Sequence, residues 1–421
     1  MQKKKLWQRL LLTILVLILY RLCFLIPTPG VDRTFFKVFL QENTAFDFLN
    51  SLTGNGFGSM SIMVLGITPY INATIILQLL GAVFQPIQDL QQGMGEERKL
   101  FDRLTLFLSG VMAVFEALMI AVNFGKHSML NDYKWYWILL VTVIWTGASL
   151  AVSAFGMYMG KRKDLFIGNG VSVLIGVNII SSYPTSLAAL YNRFFLNRAV
   201  EKQIIRAAIL VVLLFLLFSI VFYFQETQKE IPILYTGKMA GKRNAVFPIR
   251  LSPGGVMPVI FASTIISIPV MVTGFMEKEY EWVSYLNTSK WFLPDEPKYT
   301  LGVLFYVAML FLFSYFYMDI ACNPNELVNN LRKKGGMIEH VGSGDEAIHY
   351  LSHELHKTTT LGSIFMAFIV MIPFVISGLF NISHLAFLGT SILISISVFY
   401  EMGKDVSISY KAEKYEKGEL L

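Results

Sequence analysis

The stretch "LGITPYINATIILQLLG", residues 65–81, decides how this chain is read. It lies inside an apolar run from Ser61 to Val83, long enough to cross the hydrocarbon core of a bilayer. Yet the run holds Gly66, Pro69, Asn72, Thr74 and Gln78. At that depth polar groups must be paired inside protein or line a water-filled cavity. A membrane helix that keeps them has partners to satisfy.

Composition sets the class. Of 421 residues, 54% are hydrophobic and 15% charged, with mean hydropathy +0.55, where soluble domains carry about a quarter charged residues. Uninterrupted apolar segments predict ten spans, at 10–26, 61–83, 104–124, 136–156, 171–190, 205–224, 254–275, 300–321, 359–380 and 384–403. The fold class expected is all-α and polytopic. The first span follows "MQKKKLWQR" and mimics a signal peptide. No small-residue cleavage site follows it, Arg21 interrupts it and "PTPG" ends it, so it reads as retained. With the N-terminus inside, most of the 35 Lys and Arg residues fall in the segments 1–9, 84–103, 157–170, 225–253, 322–358 and 404–421. The positive-inside rule then predicts both termini cytoplasmic. The pI near 9.0 is a topology signal more than a nucleic-acid signal. Cys23 and Cys322 sit in apolar runs toward opposite faces, which speaks against a disulfide.

Two long loops share the cytoplasmic side, 225–253 and 322–358. In the first, "IPILY" and "AVFPIRL" flank "TGKMAGKRN" and predict a basic hairpin. Such a loop is either a solvated linker or, paired with the second, a docking site for a large cytosolic partner. On the other side, "FDFLNSLTGNGFGSM" (46–60) is too short to cross and too apolar for an ordinary loop. A re-entrant piece sheltered from lipid by protein fits best.

Motifs for catalysis and energy coupling are missing. No phosphate-binding G-x-x-x-x-G-K-[ST] occurs; "IGNG" (167–170) and "GSG" (342–344) lack the Lys and the Ser/Thr. "HELH" (353–356) is followed by Lys357, so the zinc pattern H-E-x-x-H fails. His349, His353 and His356 share one helical face, and an amphipathic helix bearing Leu351 and Leu355 explains them better than a metal. Intramembrane ionisable groups are few: Arg21, Glu116, Asp319 and Glu401. Glu116 reads as a structural hydrogen-bonding group or as a contact that gates a helix. A coupled transporter would cluster acids near the midplane.

Five stretches carry a family resemblance: "LGITPYINATIILQLLG" (65–81), "IGNGVSVLIG" (167–176), "GGVMPVIFASTI" (254–265), "CNPNELVNNLRKKGG" (322–336) and "LGTSILI" (388–394). In this order, over nearly the whole chain, they resemble SecY, the central subunit of the bacterial protein-translocation channel. The resemblance implies ten helices in two inverted halves of five, 1–200 and 201–421, with a pore between them. It implies a pore ring at Ile67, Ile71, Ile175, Ile179, Ile260 and Ile394, and a plug at 46–60. Within that ring, Ile67/Ile71 and Ile175/Ile179 are each spaced to stack on one helix face. Apolar β-branched rings can dewet a narrow pore. The resemblance also implies a lateral gate between the spans 61–83 and 254–275. Asn72, Thr74 and Gln78, with Glu116 and with Ser263, Thr264 and Ser267 opposite, would face an aqueous cleft or each other. Ordinary interhelical hydrogen bonding fits the same residues.

Implied partners are a SecE-like clamp subunit, SecG-like or accessory small subunits, a SecA-type ATPase, an unfolded preprotein with its signal sequence, the ribosome and the lipid bilayer. The implied place is the bacterial cytoplasmic membrane, and the resemblance implies no cofactor and no metal. Docking of motor or ribosome would fall on Lys242, Arg243, Arg332, Lys333, Lys334, Gly342 and Ser343. Here the chain departs from the pattern, because most bacterial members carry Arg-Pro where Gly342 and Ser343 stand. In this it is similar to accessory SecY paralogues, which Gram-positive bacteria pair with a second SecA to export Ser-rich glycosylated adhesins. General SecY channels, a secondary transporter and, more distantly, a membrane hydrolase are the competing readings.

Overall fold

Residues 61–83 are not a single helix. In the computed structural model, Val64, Gly66 and Thr68 donate their N–H groups three residues back, to Ser61, Met63 and Leu65. These are linked turns. Only from Thr68 does a helix run, to Val83, with Pro69 in its first turn where a missing N–H costs nothing. The expected span is thus half irregular at its start, and its polar residues belong to the helical part.

The structure describes residues 6–32, 50, 52–93, 95–126, 134–194, 212, 215–235, 245–274, 280–288, 291–292, 297–342, 344–380 and 388–416. Over these, the chain runs α1 (Leu6–Leu22), α2 (Thr68–Val83), α3 (Gln85–Gln92), α4 (Glu96–Lys126), α5 (Trp135–Lys161), α6 (Gly170–Phe194) and α7 (Phe215–Glu226). Then come β1 (Gln228–Tyr235), β2 (Ala245–Arg250), α8 (Met257–Gly274), α9 (Glu281–Leu286), α10 (Leu301–Ala321), α11 (Pro324–Lys333), β3 (Gly336–Ile338), α12 (Asp345–Phe380) and α13 (Leu388–Glu416). Each of the ten expected spans carries a helix. Among the described residues, five helical stretches are long and apolar enough to cross a membrane, and α2 with α3, bent by 118°, makes a sixth. The bend has a cause: Phe84 leaves the helix with extended backbone and Pro86 opens the next one.

The chain divides into two compact units. One comprises Met1–Leu190, Ser267–Val283 and Val398–Leu421; the other comprises Tyr191–Ile266 and Ser284–Ser397.

In the first unit α4 packs along α5. Ala113, Ala117 and Ala121 form a small-residue seam against Val141 and Trp145, which lets two membrane helices approach closely where lipid gives no hydrophobic drive. At the α5 end, Lys161 reaches Asp102 of α4 at 2.8 Å. The irregular backbone before α2 sits in the same core: Phe57, Met60, Val64 and Leu65 are buried against the seam. Residues 26–28 clamp it from the other side. Thr28 N–H donates to Met60 O at 3.0 Å and Ile62 N–H to Ile26 O at 3.0 Å. The Trp145 indole N–H fixes Thr28 Oγ1 at 2.9 Å. Residues 52–60 are therefore inside protein, as irregular backbone in a membrane requires. The rest of the expected 46–60 piece, residues 46–49 and 51, lies outside the described residues.

The second unit carries a three-stranded sheet in the order β2-β1-β3. β1 pairs antiparallel with β2 from Gln228↔Arg250 to Ile233↔Ala245, which is the expected hairpin; its tip, 236–244, lies outside the described residues. β3 is new. It pairs antiparallel with β1 at Ile233↔Ile338 through Tyr235↔Gly336. Ile231, Ile249 and Ile338 bury one face of the sheet against Met318, Val328, Ala347, Leu351 and Leu355. The stretch 322–358 is accordingly no simple loop: it holds α11, β3 and the first turns of α12, which continue unbroken into the ninth span. Likewise α13 does not stop at 403 but runs to Glu416.

Candidate functional site

The six isoleucines expected at a pore are all buried. Ile67 is the residue before α2, Ile71 lies one turn on and donates its N–H to Ile67 O at 3.2 Å, and Ile175 and Ile179 lie one turn apart on α6. These four belong to the first unit; Ile260 on α8 and Ile394 on α13 belong to the second. Their relative exposures run from 0% at Ile67 to 5% at Ile71.

Partners for the polar residues of α2 are now visible. Asn72 Nδ2 donates to Glu116 Oε1 of α4 at 2.7 Å, and both side chains are buried. Thr74 Oγ1 turns back onto its own helix and donates to Tyr70 O at 2.8 Å, as Thr264 does to Ile260 O at 2.7 Å in α8. Back-bonding of this kind hides a hydroxyl without a second helix. Ser263 lies 3.2 Å from the Tyr306 hydroxyl of α10. For Asn72 and Ser263 the structure thus records interhelical bonds, each inside one unit. Gln78 and Ser267 are partnered as well. Asn72 Oδ1 is buried without a hydrogen-bond partner among the described residues.

The buried 52–60 segment is held by polar side chains of α1 and α6. Arg21 Nη2 donates to Gly54 O at 3.0 Å, and its guanidinium carbon stands 4.2 Å from the centroid of the Phe24 ring. Asn178 is wholly buried. It donates from Nδ2 to Leu52 O at 3.1 Å and accepts from the Tyr20 hydroxyl at 3.1 Å. Arg21 was legible as a rare charge in an apolar run. Tyr20 and Asn178 carried little signal in the sequence; an amide in the middle of an apolar run was the one hint, at Asn178.

On the side carrying the sheet, Arg332 and Lys333 close the last turn of α11, where cations suit the helix dipole, and Lys334 caps it. Gly342 makes an isolated bridge with Ile338, at the end of β3. Lys242, Arg243 and Ser343 lie outside the described residues. Lys229 of β1 pairs with Glu354 of α12, a contact sequence reasoning did not find. His349, His353 and His356 lie on the exposed side of α12, opposite Leu351 and Leu355, so the amphipathic-helix reading holds. Between α5 and α6, Arg162 grips Asp164 through two bonds, at 2.9 and 3.0 Å. That guanidinium holds the Asp164 carboxyl below its ordinary range.

Comparison with known proteins extends these observations. The family model described as SecY matches residues 61–403. A protein translocase subunit SecY of Synechococcus elongatus is 33% identical over 97% of this chain and 93% of its own length. One from Porphyra purpurea is 31% identical over 99% and 98%. Among solved structures, a protein-conducting channel superposes with TM-score 0.70 at 19% identity, covering 97% of this chain and 94% of its own. The Sec61 channel in a canine ribosome-channel complex does so with TM-score 0.66 at 18% identity, covering 97% and 94%. At such identity the likeness speaks for the fold.

Proposed function

Because the chain belongs to the SecY family, we propose that it is the central pore-forming subunit of a Sec-type protein-conducting channel. It passes unfolded preproteins across the cytoplasmic membrane of a bacterium and releases apolar segments sideways into lipid. The observation that carries the reading is the irregular 52–66 backbone packed in the core of the first unit. Irregular backbone sheltered in this way fits a stopper seated within the channel. Ile67, Ile71, Ile175, Ile179, Ile260 and Ile394 form the constriction, and 46–60 is the plug above it. Asn72, Thr74, Gln78, Glu116, Ser263, Thr264 and Ser267 tune the lateral gate between α2 and α8. The halves 1–200 and 201–421 flank the pore, and a SecE-type clamp holds them together.

Energy comes from a cytosolic ATPase, since the sequence holds no phosphate-binding loop. Its landing sites are the β1–β2 hairpin with Lys242 and Arg243, and the α11–β3 region with Arg332, Lys333, Lys334, Gly342 and Ser343; ribosomes use the same face in cotranslational transport. The test is reconstitution in proteoliposomes. A translocon carries an unfolded secretory polypeptide inward in an ATPase-dependent way, whereas a secondary transporter accumulates a small solute without it.

A second, finer reading is an accessory export pathway for Ser-rich glycosylated adhesins, served by its own SecA paralogue. What favours it is the backbone at Gly342. Its φ of +93° is a conformation that arginine rarely adopts, so the Arg of the general pattern would not fit without rebuilding the turn. ATPase assays with a general and an accessory motor on the same proteoliposomes separate the two readings. Equal stimulation returns the chain to the general SecY class.

A further inference from the structure

Arg21 is a cation inside an apolar helix and makes no ion pair with a carboxylate among the described residues. Its hydrogen bond goes to a backbone carbonyl, at Gly54, and its charge rests on the Phe24 ring. Nη1 is buried with no hydrogen-bond partner among the described residues. Ionisable groups at this depth are costly and are retained for a function. One helix away, Asn178 spends its amide on Leu52 O and its carbonyl on Tyr20. Asn55 Nδ2 adds a bond to Ser181 O at 3.4 Å. The segment between α1 and α6 is thus held at Leu52, Gly54 and Asn55. Two of those three holds are on its backbone.

We propose that Tyr20, Arg21 and Asn178 are a polar latch that keeps the 52–60 segment seated. The proposal rests on the channel reading only for what unseating does. The latch grips carbonyl oxygens, so it tolerates most side-chain changes in the segment. Gly54 is the exception. A Cβ there would lie 2.6 Å from Arg21 Nη1 and 2.8 Å from the Asn178 Cα, so any side chain drives a wedge between the segment and both of its holders. At its far end the segment is tied by Thr28 N–H to Met60 O, and its side chains Phe57 and Met60 pack in the apolar core. Among these holds the Arg21 bond is charge-assisted and so is the strongest single contact. Release of residues 52–55 then begins with loss of the bonds at Leu52, Gly54 and Asn55.

Hydrogen exchange of the purified full chain in lipid nanodiscs tests this. Arg21→Met keeps the bulk and removes the donor. Loss of one charged hydrogen bond should speed exchange of the peptide 52–60 by roughly tenfold to a hundredfold, with peptide 141–153 of α5 unchanged. Tyr20→Phe, which removes one hydroxyl, should move the same peptide by a smaller factor. Gly54→Ala, which wedges the segment from both holders, should move it by at least as much as Arg21→Met. Both serve if Arg21→Met fails to fold. Exchange of 52–60 unchanged in these variants overturns the latch. Faster exchange everywhere also overturns it, since Arg21 would then brace the fold instead of the segment. Planar-bilayer conductance of the same variants separates the two claims. Faster exchange with raised conductance upholds both, and faster exchange in sealed bilayers upholds the latch while defeating the channel reading.

Discussion

Removing the Asn72–Glu116 bond should loosen α2 from α4 by a measurable and bounded amount. The bond is 2.7 Å long, and each partner is 6% exposed, so water cannot replace a lost partner. In water-soluble proteins, orphaning such a group costs about 1–3 kcal/mol. In membranes, double-mutant cycles average about 0.6 and reach about 1.7 kcal/mol, because the unfolded state in lipid finds partners too. The short distance and full burial place this pair toward the upper end, about 1–2 kcal/mol. The cycle uses Asn72→Ala, Glu116→Ala and the double variant, with unfolding in mixed micelles as the assay. Cavity effects of each truncation cancel in the cycle. Glu116→Gln sharpens it. Its amide oxygen still accepts from Asn72 Nδ2, and its NH2 can donate to Asn72 Oδ1, which now has no partner among the described residues. That variant should be as stable as the native chain or more so. A coupling energy below about 0.3 kcal/mol, or a Gln variant as unstable as the Ala one, would refute the reasoning.

Other expectations can be checked with single variants. Ile260→Asn should hydrate an apolar constriction and raise ion conductance in planar bilayers; sealed bilayers would count against the pore ring. Arg9 joins three parts of the first unit, donating to Ser409 Oγ at 3.0 Å and to Phe166 O at 3.1 Å. Arg9→Met should expose the end of α13 and speed limited proteolysis after residue 403 by roughly tenfold; an unchanged cleavage rate would show that the staple carries no load. For the Arg162–Asp164 pair, the carboxyl is held low, so its contribution is present above the ordinary carboxylate range and is lost as pH falls through its depressed value. The Tm difference between the native chain and Asp164→Asn should be flat at neutral pH and vanish on acidification. A difference that grows on acidification would reverse the sign of the argument.

Helices announced themselves in the sequence, because an apolar run in a membrane has few alternatives. Their ends did not. Residues 61–67 are as apolar as a helix and make linked turns instead, and hydropathy alone cannot see that difference. β3 was invisible for another reason: "GMI" has no pattern of its own and becomes a strand only against Ile233–Tyr235, about a hundred residues earlier. The same distance in sequence hid the partners. Asn72 was conspicuous, but nothing near it pointed to Glu116, 44 positions away. Leu351 and Leu355 were legible as a buried stripe, since their helical spacing is local.

The unbroken run of α12 has a mechanical meaning. From Asp345 to Pro373 a helix rising about 1.5 Å per residue spans about 42 Å, and Pro373 is the first position in it where a sharp kink is favoured. Its first turns carry Ala347, Leu351 and Leu355 under the sheet. Just past Pro373, Phe374 meets Trp291 and Tyr306 with ring centroids 5.2 and 5.8 Å away, and Tyr306 touches Ser263 of α8. One continuous helix thus joins the underside of the sheet to the ring cluster that touches α8, with Pro373 at the junction.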